Sequence, residues 1–291
     1  RATATASPTA TGVNAAAPAT ALAGAPEADG ADGLAPGGGV LGVAQGLARR
    51  SLVNIARTPS AVVPTIAMPL FFIVAFSGAF GALTDIPGFP TDNAINWFMP
   101  WAIMQGAAFA GMGVCFGIGR DLENGFYDRL LMAPTHRVSL VVGPLMAAVV
   151  RVLLPVVTVS IVGFAAGARL TDGLVGMVTL VVAAEGFALV AALWGLGVVF
   201  RLRTQRSGAL IQVGIFVTMF LSIGQAPIEL MEGWLPHVAR VNPLTYVLDM
   251  ARAGFLGPVT WSAVWPGLVA LAAGLALFSV WTFSGFRRLV H

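Results

Sequence analysis

Residues 173–200 read GLVGMVTLVVAAEGFALVAALWGLGVVF, with Glu185 as their sole charge. A membrane-crossing helix needs about 20 largely apolar residues, and this run exceeds that length. Counting outward from charge to charge finds similar intervals on both sides. Residues 58–84, 93–119 and 207–228 carry no charge, and 138–150 and 152–168 are split only by Arg151. The longest interval, 253–286, holds a sixth candidate from about Trp261 to Phe286. Pro59, Pro64 and Pro69 are expected to bend the first half of the first span.

The whole composition agrees with this reading. Of 291 residues, 57% are hydrophobic and 10% charged, and the mean hydropathy is +0.85. Soluble domains average about 25% charged residues, so a chain this poor in charge cannot hide its apolar surface from water. The fold class is therefore an all-α polytopic membrane protein with six transmembrane helices. Six spans put both termini on one side. With the N-terminus inside, eleven arginines fall in cytoplasmic segments (Arg49, Arg50, Arg57, Arg120, Arg129, Arg137, Arg201, Arg203, Arg206, Arg287 and Arg288), against Arg169, Arg240 and Arg252 outside. That asymmetry sets the N-terminus in the cytoplasm and the protein in the cell membrane.

Charge identity excludes other chemistry. All sixteen basic residues are arginine, so Schiff-base catalysis and a nucleotide-binding phosphate loop both lack their lysine. Any ATP hydrolysis must then sit on another chain. Cys115 alone can make neither an internal disulfide nor a cysteine-rich metal site. His136, His237 and His291 are too scattered for a zinc motif. No nucleophile and base pair up for an intramembrane enzyme, and arginines interleaved with spans read as topology signals rather than as a nucleic-acid surface.

Three segments lie outside the spans. Residues 1–38, rich in Ala, Pro, Thr and Gly, lack the apolar content to fold and read as a disordered cytoplasmic tail. From Val40 to Arg57, Leu41, Ala44, Ala48, Leu52 and Ile55 recur at helical spacing while Arg50, Asn54 and Arg57 share another face. This pattern suits an amphipathic helix at the membrane surface, or a cytoplasmic extension of the first span. The connection RDLENGFYDRLLMAPTHR, Arg120 to Arg137, combines acids and arginines with an apolar cluster of Phe126, Tyr127, Leu130, Leu131 and Met132. A short amphipathic helix ending near Pro134 would present those residues to a partner's groove or lie on lipid.

The outer segment between spans five and six, from about Gln225 to Gly257, is expected to dip into the outer leaflet or to cap the outer face. Asn242 and Pro243 make a helix start, a capping side chain followed by a residue whose missing N–H costs nothing there. LTYVLDMARAGF continues to a stop at Gly254 or Gly257, too short and too charged to span. Within the spans, Arg151 and Glu185 differ in depth by about 6 Å at 1.5 Å per residue and are expected to pair.

The two loop segments together resemble the paired signatures of ABC-2 type exporter permeases, particularly their daunorubicin-resistance-like branch. The first loop is similar in Glu123, Gly125, Arg129, Leu130, Leu131, Pro134 and Arg137, with Gly143 following. NPLTYVLDMAR, Asn242 to Arg252, is similar to the outer motif almost throughout. Pro144 departs from the basic residue that relatives often carry there. The resemblance covers about residues 40–291 and implies an ATP-driven exporter in which two permease chains, identical or related, pair above two separate ATPase subunits that carry the ATP and Mg. It further implies that Asp121, Glu123, Gly125, Phe126, Tyr127, Asp128, Arg129 and Leu130 couple to the ATPase, and that residues 225–257 form an extracellular helical hairpin, with Asn242, Pro243, Tyr246, Asp249 and Arg252 in the extracellular gate.

A hydrophobic or amphipathic cargo, such as a drug, antibiotic or lipid, is then expected, with Met104, Phe109, Met112, Phe116, Phe216, Met219 and Phe220 as a greasy lining. Lipid-facing and packing positions use the same residue types. The rival reading is a proton- or ion-coupled secondary transporter built on Arg151 and Glu185.

Overall fold

The computed structural model describes residues 39–56, 59–132 and 136–290. Arg57, Pro134 and the 1–38 tail lie outside them. Among the described residues there are ten α-helices and no strand. They are α1 (Val40–Ala56), α2 (Pro59–Ala79), α3 (Ala94–Glu123), α4 (Phe126–Met132), α5 (Ser139–Ala165), α6 (Gly173–Leu202), α7 (Gly208–Phe220), α8 (Leu235–Val241), α9 (Pro243–Leu256) and α10 (Trp261–Val290).

Helix α3 is the centre of the bundle, packed on α2, α5, α6 and α9. Asn93 starts it, accepting a hydrogen bond from the Ile95 N–H at 2.9 Å and donating one to the Gly167 carbonyl at 2.8 Å. Small residues let the helices approach closely, as lipid-embedded interfaces require where apolar burial gives little driving force. Gly111 of α3 meets Ala188 and Ala191 of α6, Gly195 meets Cys115, and Gly197 meets Trp281 of α10. The amphipathic stretch is one continuous helix against the start of α5, where a Cβ on Gly143 would stand 2.7 Å from that of Leu47. Ala44 and Ala48 are buried on that face, whereas Leu41 is exposed.

Four helices, α3, α5, α6 and α10, are long and apolar enough to cross a membrane. The other two expected spans are shorter. In α2 the apolar stretch is Val63–Ala79. The 207–228 interval yields a helix of only 13 residues, α7, which ends at Phe220; at 1.5 Å per residue that is about 20 Å, short of a hydrocarbon core of about 30 Å. Beyond it the chain unwinds through a turn, for a reason found in α9.

The bundle has two distinct ends. Arg50 of α1 reaches Asp121 of α3, and Arg203 donates to the Leu289 carbonyl near the end of α10, so α1, α4 and the C-terminal end of α10 lie together. Helices α8 and α9 lie at the other end, beside the start of α3.

Candidate functional site

At the first end, α3 stops because Gly125 adopts φ 67, the left-handed conformation that closes helix C-termini and that other residues adopt at a cost. The chain then turns into α4, which Tyr127 and Phe126 fasten to the bundle while Asp121 and Glu123 hold the end of α3. Tyr127, only 1% exposed, donates its hydroxyl to the Leu140 carbonyl at 3.1 Å, and its ring lies 5.9 Å from that of Phe200. Burial pushes this phenol well above its ordinary pKa. Asp121 accepts both ends of the Arg50 guanidinium at 2.7 and 2.9 Å, a two-pronged geometry that strengthens the pair. These hydrogen bonds hold Arg50 above its ordinary pKa, and its guanidinium also covers the Phe126 ring at 3.9 Å. Glu123, although exposed, accepts from the Thr204 hydroxyl and the Gln205 N–H, both at 2.8 Å.

This arrangement corrects the expected partner-facing set. Asp121, Glu123 and Tyr127 are engaged within the chain, because α1 and the turn at 205–207 come within reach of the loop. What remains exposed on α4 is Asp128, Arg129 and Met132, the last at 79%, with Leu130 half-buried. Neither Arg50 nor Thr204 entered the expected site. Arg50 could have been suspected, since it stands on the polar face of α1 and the loop is rich in acids.

At the opposite end, Asn242 caps α9 as expected, its side chain accepting from the Leu244 N–H at 3.0 Å. The same side chain donates to the Thr218 carbonyl of α7 at 2.6 Å. Tyr246 donates to the Arg240 carbonyl at 2.7 Å and so ties α9 back to α8. Pro243 and Asp249 are exposed. Arg252 is not: it is 0% exposed, stacked 3.7 Å over the Trp97 ring, with Nε donating to the Trp97 carbonyl at 3.1 Å. Its Nη1 and Nη2 donate to the carbonyls of Ile223 and Gly224 at 2.7 and 2.8 Å. Those carbonyls belong to the turn where α7 ends, so the guanidinium supplies the donors that a continuing helix would have given.

Within the bundle, Arg151 and Glu185 do not pair. The one ion pair among the described residues is Arg50 with Asp121. The depth arithmetic left out rotation about the helix axes and the helix α3, which packs against both α5 and α6. The Arg151 guanidinium lies against Gly113 of α3, where a Cβ would overlap it.

The expected lining is also revised. Met104, Met112 and Met219 are at most 1% exposed and pack in the core. Phe216 sits between Phe109 and Phe220 in ring contacts of 5.8 and 5.9 Å, and Phe116 fills the space over Gly208. None of the seven lines the cavity of about 760 Å3 between α6, α7, α9 and α10, whose walls include Phe187, Trp194, Ile215, Leu244 and Phe278.

The sequence matches the ABC-2 type transporter family over residues 43–256, from α1 to the last residue of α9. The chain belongs to the ABC-2 type transporter family. It is similar to the daunorubicin resistance ABC transporter permease protein DrrB1 of Streptomyces coeruleorubidus, 25% identical over 237 residues, covering 78% of this chain and 82% of that one. The probable doxorubicin resistance ABC transporter permease protein DrrC of Mycobacterium tuberculosis is 26% identical over 246 residues, 82% of this chain and 86% of that one. The probable multidrug ABC transporter permease YbhR of Escherichia coli is 25% identical over 215 residues, 67% of this chain and 56% of its own. As an ABC-2 transporter the chain is a membrane-embedded permease and not itself a catalyst. Helices α4, α8 and α9 fall within the matched stretch, whereas α10 lies beyond it.

Proposed function

We propose that this permease is the transmembrane subunit of an ATP-driven exporter that moves hydrophobic or amphipathic molecules, such as drugs, antibiotics or lipids, out across the cytoplasmic membrane. Two such chains would pair, and two ATPase subunits holding ATP and Mg would dock at the end that carries α4. In this reading α2 and α7 complete six spans, both termini are cytoplasmic, and α8 and α9 close the outer side.

The observation that carries it is α4 itself. A seven-residue helix anchored by Tyr127, and flanked by the Arg50–Asp121 pair and the Glu123 bonds, holds Asp128, Arg129 and Met132 outward in one rigid patch. A connection that merely reversed the chain would need none of these anchors. A fixed patch can transmit movement from a partner into α1, α3 and α6, which the anchors join. At the far end, the cavity of about 760 Å3 is within the roughly 300–1,000 Å3 range of drug-sized sites, and its walls are almost wholly apolar. The secondary-transporter reading rests on Arg151 and Glu185 as ionisable residues within the spans, which form no ion pair with each other.

The test is co-expression with a cognate ATPase subunit. Asp128→Arg combined with Met132→Glu should leave the permease folded with an unchanged melting temperature and lower ATPase co-purification at least tenfold. Reconstituted vesicles should then export an anthracycline with ATP and not with a pH gradient. Full ATPase binding by the double variant, or export driven by the gradient alone, would sink the proposal.

A further inference from the structure

Arg151 lies in the apolar body of α5, is 7% exposed, and shows no hydrogen bond to a partner among the described residues. Nη1 is fully desolvated without a partner. Arg252, by contrast, is compensated by three carbonyls and a ring, while Glu185, like Arg151, has a buried atom, Oε2, that has no partner. A desolvated cation with no acceptor in its own protein calls for one from elsewhere.

The surroundings provide a way in. A cleft of about 190 Å3 lies between α1, α3, α4 and α5, lined by Arg50, Ser51, Gly113, Gly117, Arg120 and Pro144 among others. Arg151 follows Pro144 by two helical turns on the same face of α5; it is not itself a lining residue, but its guanidinium rests against Gly113, which is. Gly117, one turn nearer the α4 end, has nothing within 4 Å of where its Cβ would stand, so the space beside it is open. The single carboxylate in the lining, Asp121, is already taken by Arg50, whereas Arg120 is exposed at the rim. The cleft therefore mixes apolar walls, such as Leu47, Val114 and Leu140, with a net cationic set of charged side chains. Its volume falls below the roughly 300–1,000 Å3 that a drug-sized body occupies, so it has room for a head group only.

We propose that this cleft receives the anionic head, a phosphate or carboxylate, of an amphiphile, with Arg151 as its counter-charge and Arg120 at the entrance. The apolar tail would lie outside, along the exposed Val150, Leu153 and Leu154 of α5 or in the surrounding lipid. The assignment concerns binding to the permease alone and does not depend on ATP-driven export.

Two probes of shared chemistry test it on the purified chain, followed by native mass spectrometry. Dodecyl phosphate represents a free amphiphile and phosphatidic acid in phosphatidylcholine nanodiscs a lipid head group, with dodecylphosphocholine as the zwitterionic control. We expect an anionic probe to bind at least tenfold more tightly than the control, and to lose that advantage in Arg151→Gln. Retention of phosphatidic acid alone would assign the site to a lipid, and retention of dodecyl phosphate to a free amphiphile. Gly117→Leu fills the cleft while leaving Arg151 in place, and should lose the same binding, so the test stands even if Arg151→Gln fails to fold. Wild-type affinity in Gly117→Leu, or no preference for the anionic head in the wild type, overturns the proposal.

Discussion

Arg252 shows what a single side chain does in this fold. Its guanidinium bonds three carbonyls, two of them freed by the unwinding after α7. Each buried acceptor left without a donor costs about 1–3 kcal/mol, so Arg252→Met should destabilise the chain by on the order of 3 kcal/mol. Arg252→Lys, with a single ammonium that cannot span both carbonyls, should fall between. Thermal melts in detergent would show a fall of several degrees for Met and a smaller one for Lys; a Met variant that melts with the wild type would remove the staple from the account. The helix start at Asn242 and Pro243 was legible in the sequence, because a cap is a local signal. The partners of Arg252 were not, since they lie 28, 29 and 155 residues away in intervals that show no charge. Arg151 and Glu185 carried the opposite lesson: charge and depth alone suggested a pair, and rotation about the helix axes separates them.

Among the elements, α4 is, with α8, the shortest helix, and it depends on its anchors. Seven residues form fewer than two complete turns, and such a helix is not stable without tertiary contacts. Tyr127→Phe removes one hydrogen bond and should cost about 1 kcal/mol, whereas Tyr127→Ala also removes the packing on Phe200 and should cost roughly 3–5 kcal/mol. Hydrogen exchange over residues 126–132 is the measurement, because it reports local opening without requiring the bundle to melt. Exchange should rise modestly in Phe and strongly in Ala; equal protection in all three chains would show that α4 is held by something else. Its existence could be read from the apolar cluster between Phe126 and Met132. Which of its residues face inward could not, because that is decided by α1, α5 and α6, whose positions no local pattern reports. Interval counting likewise located α3, α5, α6 and α10 but could not see α7 end early, since unwinding at Leu221 requires no charge.

For the whole molecule, the distribution of arginine distinguishes the two ends. Arg50, Arg120, Arg201, Arg203, Arg287 and Arg288 gather at the end that holds α1, α4 and the end of α10, through contacts such as Arg203 to the Leu289 carbonyl and Arg201 to the Trp281 carbonyl. Arginine-rich connections stay on the cytoplasmic side, so that end should face the cytoplasm and α8 and α9 the exterior. Cysteine labelling can decide this cleanly, because Cys115 is fully buried and should give a silent background. In intact cells, an impermeant maleimide should modify Glu232→Cys, beside α8, and spare Arg129→Cys on α4. In inverted vesicles the pattern should reverse, with Arg129→Cys labelled and Glu232→Cys protected. Labelling of both positions from one side would break the assignment of ends, and with it the docking of an ATPase at α4. An inverted result in both preparations would keep the two ends distinct but set α4 outside, where no ATP is available to drive it.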